Sequence, residues 1–82
     1  MYKLLVFAQL REQLGQLQLN LDLPQAEVTL ADLLGYLHTH YPQQSAILDA
    51  SRFAINQVYV SDLSQRVQTS DEIALIPPVS GG

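Results

Sequence analysis

Eighty-two residues allow one domain with one modest core, since a chain of this size buries only roughly 60% of the surface that it exposes when unfolded. A hydrophobic fraction of 48% beside 15% charged residues marks a globular chain, and the absence of cysteine excludes disulfides, iron–sulfur clusters and thiol nucleophiles. The net charge is −4 and the four basic residues, Lys3, Arg11, Arg52 and Arg66, are scattered, so no basic stripe exists to bind nucleic acid or to anchor the chain to a membrane.

Tyr2 to Ala8 predicts a first strand. Arg11 and Glu12 follow it at once, which argues against the apolar segment of a secretion signal. Its apolar run, Leu4 to Ala8, is too short to span a membrane. Gln9 to Gly15 predicts a helical turn closed by Gly15. From Gln16 to Leu23 the alternation is unbroken, with Leu17, Leu19, Leu21 and Leu23 on one face of a second strand. Pro24 ends it. Thr29 is placed to cap a helix, with Asp32 three residues on, near the positive end of the helix dipole. Leu30, Leu33, Leu34, Leu37 and Tyr41 fall on one stripe of that helix, and Pro42 closes it. Gln43 to Ala50 adds a short helical piece carrying Ile47 and Leu48. Arg52 to Ile55 and Val58 to Val60 predict two strands around Asn56-Gln57. Ser61 to Ser70 is polar, with Leu63 and Val67 as anchors. Glu72 to Ile76 is the last strand.

This order predicts an α+β fold: a mixed sheet with one main helix packed on one face. The β-grasp, or ubiquitin-like, fold has the same order, with its first and last strands parallel at the sheet centre. Other small α+β folds compete on order alone. The expected boundaries are a domain over residues 1–78 and a tail over residues 79–82. The lack of cysteine suits a cytoplasmic protein.

The last residues carry the most information. Pro77 and Pro78 cannot donate to a sheet ladder and favour extended backbone. Val79 and Ser80 prolong that extension. Gly81 and Gly82 have no Cβ, so they make the thinnest possible peptide end and can thread a narrow tunnel. Such an end suits a carboxylate that becomes an electrophile as an acyl adenylate or a nucleophile as a thiocarboxylate. A functionless frayed end is the alternative, and it fits poorly behind a strand and a rigid Pro-Pro.

Three stretches give the chain its resemblance to a family. They are Phe7-Ala8-Gln9-Leu10-Arg11-Glu12, then Ala54-Ile55-Asn56-Gln57 with Tyr59-Val60, and finally Asp71 to Gly82. Over its whole length the chain resembles the small, sulfur-carrying subunit of molybdopterin synthase. One departure is Ser70, where that family often has glycine before the Asp-Glu pair, which puts the turn geometry there in question. The resemblance implies a β-grasp fold and a cycle. An adenylating enzyme of the ubiquitin-activating type uses ATP on Gly82, and a sulfur donor converts the adenylate to a thiocarboxylate. The tail then enters the large subunit, which supplies the catalytic side chains, and sulfur passes to a cyclic pterin precursor. Two carriers and two large subunits form a heterotetramer in that family. The chain itself would bind no cofactor and no metal.

Strand parity gives an independent expectation. Lone charges seldom face a core, so the sides bearing Lys3 and Glu72 should be the outer ones. Leu5, Phe7, Ala74 and Ile76 then face outward on adjacent strands, as an apolar docking patch beside the tail residues Pro77, Pro78, Val79 and Ser80. Rival chemistries find little support. His38 and His40, two apart on a helix, cannot share a metal, and the serines have no histidine with a carboxylate partner at a recognisable spacing. Asp71 and Glu72 read as turn acids. Two further functions share the tail chemistry: a sulfur carrier for thiamine thiazole or cysteine synthesis, and a protein modifier conjugated through Gly82.

Overall fold

Alternation along the first strand decides which side of the sheet is dry. Tyr2, Leu4 and Val6 are buried and Lys3 is exposed, as a period of two requires. The structure, a computed structural model, describes residues 1–78; the expected tail of Val79, Ser80, Gly81 and Gly82 lies outside the described residues. The elements are β1 (Tyr2–Val6), α1 (Ala8–Leu14), β2 (Gln18–Leu21), β3 (Glu27–Thr29), α2 (Leu30–His40), a 3-10 turn (Pro42–Gln44), α3 (Ser45–Ala50), β4 (Arg52–Ile55), β5 (Val58–Val60), β6 (Arg66–Gln68) and β7 (Ile73–Ile76). Five strands form one sheet in the order β2-β1-β7-β4-β5. The central pair, β1 and β7, is parallel and the other neighbours are antiparallel. A strand flanked on both edges and covered on one face should be nearly all apolar. β7 is, with Ile73, Ala74 and Leu75 all buried.

Helix α2 crosses the dry face. Its start is fixed by a reciprocal cap: the Asp32 amide donates to Thr29 Oγ1 at 3.1 Å and the Thr29 amide donates to Asp32 Oδ2 at 3.0 Å. Leu30, Leu33 and Leu37 are fully buried against Leu4, Leu19, Leu21, Phe53 and Leu75, while Leu34 and Tyr41 sit at the margin. Burying one leucine contributes about 2 kcal/mol. Two of these therefore match a typical disulfide, at about 2–4 kcal/mol, which is how a chain without cysteine holds together. The helix ends at His40, and Pro42 opens the 3-10 turn that leads into α3 and its buried Leu48.

The structure differs from the sequence expectation in three places. Ala8 does not extend β1. It heads α1, is exposed, and takes φ +51°, a left-handed conformation that costs a non-glycine residue about 1 kcal/mol. The second strand is shorter than its alternation. β1 stops at Val6, so only one backbone bond, from the Val6 amide to the Leu17 carbonyl at 3.0 Å, reaches Leu17. That side chain is 62% exposed. At the other end the Leu23 amide turns back onto the Leu21 carbonyl at 3.0 Å, a three-residue turn that breaks the strand before Leu23. Lastly, β3 and β6 form a separate two-stranded sheet, β6 inside the stretch read as polar and β3 in the stretch before the Thr29 cap, where the sequence predicts no strand. Val67 is buried there opposite Val28, and Arg66 meets Glu27 at 3.0 Å. Leu63, expected as an anchor, is 40% exposed and contributes mainly its carbonyl, which accepts the Ala31 amide at 2.9 Å.

Gly15 closes α1 as expected. At φ +68° its amide donates to the Arg11 carbonyl at 2.8 Å. Ser70 resolves the doubt about its turn: it is not among the residues with positive φ, so no glycine is required there.

Tyr2 couples this core to pH. Its ring is buried and its hydroxyl donates to the Gln25 carbonyl at 2.7 Å. Burial pushes the phenol above its ordinary value of 10.0, and the carboxylates of Glu27 and Asp32 push it further. A raised value in the folded state favours the neutral form. Its contribution is therefore complete below pH 10.0 and is lost as pH rises from there through the folded value. Tyr2→Phe is expected to flatten the alkaline limb of stability against pH above that point. Urea midpoints measured across the limb test this; an unchanged slope would remove Tyr2 as its cause.

Candidate docking face and tail root

The wet face of the sheet is built by the same parity that builds the core. β1 contributes Lys3 and Leu5, with Phe7 just beyond its end. β7 contributes Ala74 and Ile76, following the exposed Glu72. Registers Leu5↔Ala74 and Ala54↔Ala74 bring β1, β7 and β4 together at the centre. Two alanines facing each other leave a low floor, only 6% and 7% exposed, while longer side chains stand around it. The result is a shallow apolar basin of about 250 Å³, lined by Leu5, Phe7, Ala54, Gln57, Tyr59, Glu72, Ala74 and Ile76. All four residues expected on an outward apolar patch line it. Ala74 does so as buried floor rather than as exposed surface.

Tyr59, Ala54 and Gln57 were not foreseen as part of this face, although the signal was present. Asn56 and Gln57 both have positive φ, at +50° and +71°, which makes a two-residue hairpin turn. That turn fixes the register Ala54↔Tyr59 and so turns Tyr59 to the same side as Ala54. The turn is tied to the start of β7. Asn56 Nδ2 donates to Asp71 Oδ1 at 3.1 Å, and the Glu72 amide donates to Asn56 Oδ1 at 2.9 Å. Asp71 also accepts the Gln68 amide at 2.8 Å. Asp71 is thus a turn-building acid, as read from the sequence.

At the far end of β7 the two prolines part company. Pro77 is buried and Pro78 is exposed. They line a second cleft of about 300 Å³ with Ala50, Arg52, Tyr59 and Ile76. The expected tail residues Val79, Ser80, Gly81 and Gly82 lie outside the described residues.

One expectation about side-chain clusters is corrected. Folding α2 against α3 brings His38 Nδ1 to 3.0 Å from Ser45 Oγ and His38 Nε2 to 2.7 Å from Asp49 Oδ1. A serine therefore does have a histidine with a carboxylate partner, although their spacing in the chain gave no sign of it. A carboxylate only accepts, so Nε2 carries the hydrogen and Nδ1 accepts from Ser45 when the ring is neutral. The Asp49 side chain is 64% exposed and the trio staples α2 to α3. His40 stacks on Tyr36 at 4.0 Å, well away from this trio. Among the described residues no three metal-binding side chains gather, and no helix is long and apolar enough to cross a membrane.

A sheet with parallel first and last strands at its centre, one main helix across one face and an apolar basin on the other is the β-grasp, or ubiquitin-like, architecture. Residues 4–82 match the ThiS family. A molybdopterin synthase sulfur carrier subunit of Dictyostelium discoideum is 44% identical over 82 residues, covering 99% of this chain and 95% of that one. SAMP1 of Haloferax volcanii superposes with a TM-score of 0.79 at 28% identity, covering 99% of this chain and 98% of that one. A protein in a complex of subunits 1 and 2 of molybdopterin-converting factor from Helicobacter pylori shares the fold, with a TM-score of 0.70 at 20% identity over 99% of this chain and 97% of that one. The chain belongs to the ThiS family of sulfur carriers.

Proposed function

We propose that this chain is the sulfur-carrying subunit of a molybdopterin synthase and that the carboxylate of Gly82 is its reactive group. An ATP-dependent adenylating enzyme joins a Gly82 oxygen to the α-phosphorus of ATP, with pyrophosphate leaving. A donor of sulfide-level sulfur then attacks the acyl carbon, so that a C–S bond forms, the C–O bond to AMP breaks and a thiocarboxylate is left. The large subunit receives the tail, supplies the catalytic side chains and directs sulfur onto the pterin precursor. The chain binds no cofactor in this cycle and needs no side-chain active site of its own. The cytoplasm is its expected place.

One observation carries the reading. The strand that leads through Pro77 and Pro78 toward the two glycines is β7, and its outer residues Ala74 and Ile76 also form part of the apolar basin. This supports a docking face and a tail root, Pro77-Pro78, that belong to or directly follow one central strand. A partner that covers the basin has the tail root within its footprint. The likeness to molybdopterin synthase carriers along the whole chain supports this choice of product over thiamine thiazole or cysteine.

The modifier reading has its own support in the likeness to SAMP1, a small archaeal modifier protein. Lys3 is the chain's only lysine, so chains of itself could be built only through that residue. Reconstitution separates the two. With adenylating enzyme, ATP, sulfur donor, large subunit and pterin precursor, the expected result is a carrier in which one terminal oxygen is replaced by sulfur, followed by dithiolene product. Branched conjugates on target lysines, with no thiocarboxylate and no product, would select the modifier instead.

A further inference from the structure

Of the four basic residues, Arg52 is exposed and lines the cleft at the tail root. Arg66 is paired with Glu27. Arg11 bonds the Val6 carbonyl through Nε and lies over the Phe7 ring at 5.3 Å. Lys3 stands toward the other end of β1. Arg52 is absent from the ion pairs among the described residues, which are His38–Asp49 and Arg66–Glu27. It begins β4, directly opposite Ile76 at the end of β7, and shares the outer face with Ala54 and Tyr59.

The guanidinium is held, not trailing. Its carbon lies 5.9 Å from the centre of the Tyr59 ring, within range of a cation–π contact. The ring attracts the guanidinium at that distance, and its N–H groups have no hydrogen-bond or ion-pair acceptor among the described residues. Around it, Ile76, Pro77 and Pro78 make the apolar wall of the tail-root cleft. On the open surface such a charge is solvated and contributes little. Once a partner covers the cleft, the same charge loses water, and its donors then need a partner acceptor.

We propose that Arg52, over the Tyr59 ring and beside Pro77 and Pro78, receives an aspartate or glutamate side chain of the large subunit when that subunit covers the basin. This rests on the reading of the outer face as a docking surface and adds the chemistry of one contact at its rim. A guanidinium cannot deprotonate in proteins and presents a fork that matches a carboxylate at two points. The carrier's net charge of −4 disfavours an acidic partner elsewhere on its surface, so a lone cation at the tail root selects where the acid sits. The pair would fix register: an acid held on Arg52 sets how far the partner's tunnel lies from Pro78.

The test measures binding of the full-length carrier to the cognate large subunit at low and high salt, for wild type, Arg52→Gln, Arg52→Lys and Phe7→Asp. Arg52→Gln is expected to weaken binding about 10-fold or more at low salt and to reduce the salt dependence. Arg52→Lys should recover only part, because a point charge cannot reproduce the fork. Arg52 is exposed, so melting temperatures should stay level. Binding by Arg52→Gln within about twofold of wild type at both salts, while Phe7→Asp fails to bind, would overturn the Arg52 contact and leave the docking face standing. Weaker binding with an unaltered salt dependence would also overturn it, by making the contact one of packing. Wild-type binding by Phe7→Asp would remove the docking face itself.

Discussion

Deleting Gly82 is expected to abolish sulfur transfer completely while leaving the melting temperature of the carrier unchanged. The two halves of that expectation have separate physical grounds. The fully buried side chains end at Leu75, and β7 ends at Ile76 with Pro77 tucked behind it. The core formed by the described residues closes without the last residue. The chemistry depends on it wholly, because the carbon to be adenylated would now belong to Gly81, one residue short of its place in two partner enzymes. One residue of extended chain is about 3.3 Å, and a misplacement of even 1 Å can cost about 100-fold in rate. Gly81→Trp keeps the length and tests the bore instead, since an indole cannot pass where a chain without Cβ can. Both variants are checked by intact mass after incubation with adenylating enzyme, ATP and sulfur donor. A thiocarboxylate formed on either one at the wild-type rate would dismiss the tail as the reactive part.

Much of the fold was legible because its strongest elements carry redundant signals. Helix α2 has a cap at Thr29, a reciprocal acid at Asp32, a stripe of leucines and a terminating Pro42, and each points to the same boundaries. Strands β4 and β5 were read to the residue because Asn56-Gln57 separates them with a turn of two. What escaped had no local mark. Glu27–Thr29 and Arg66–Gln68 are three residues each, too short for a period of two to show. Ala8 reads as strand by composition, and the turn there brings Leu10 of α1 into the core. The site was legible through parity, since Lys3 and Glu72 reveal which side of two strands faces water. Tyr59 was missed because its place on that side depends on hairpin register. Arg52 was missed because cross-strand proximity to Ile76 and Pro77 is a property of the sheet and not of the sequence around it. The same holds for His38, Ser45 and Asp49, which meet only because two helices pack.

Phe7→Asp should separate docking from folding more cleanly than any other single change on the outer face. Phe7 is 36% exposed and occupies the N-cap position of α1, with extended backbone at φ −134° and ψ 163° and no side-chain cap of its own. Aspartate is among the favoured residues at that position, where its carboxylate can accept amides of the first turn, and its charge suits the positive end of the helix dipole. The fold therefore loses a partly buried ring and gains a cap, and the melting temperature should move little. Docking gains nothing. A carboxylate at the rim of an apolar basin must be stripped of water when a partner closes over it, and the neighbouring Arg11 guanidinium, 5.3 Å from the centre of the Phe7 ring in the wild type, offsets only part of that cost. An aromatic anchor in an interface commonly contributes about 2 kcal/mol or more, so affinity for the large subunit should fall by about 30-fold or more. Ile76→Asp, two residues along β7 from the floor residue Ala74, should behave alike in binding. If both variants bind as wild type does and melt at much lower temperature, these side chains serve the core, and the partner must approach from another side.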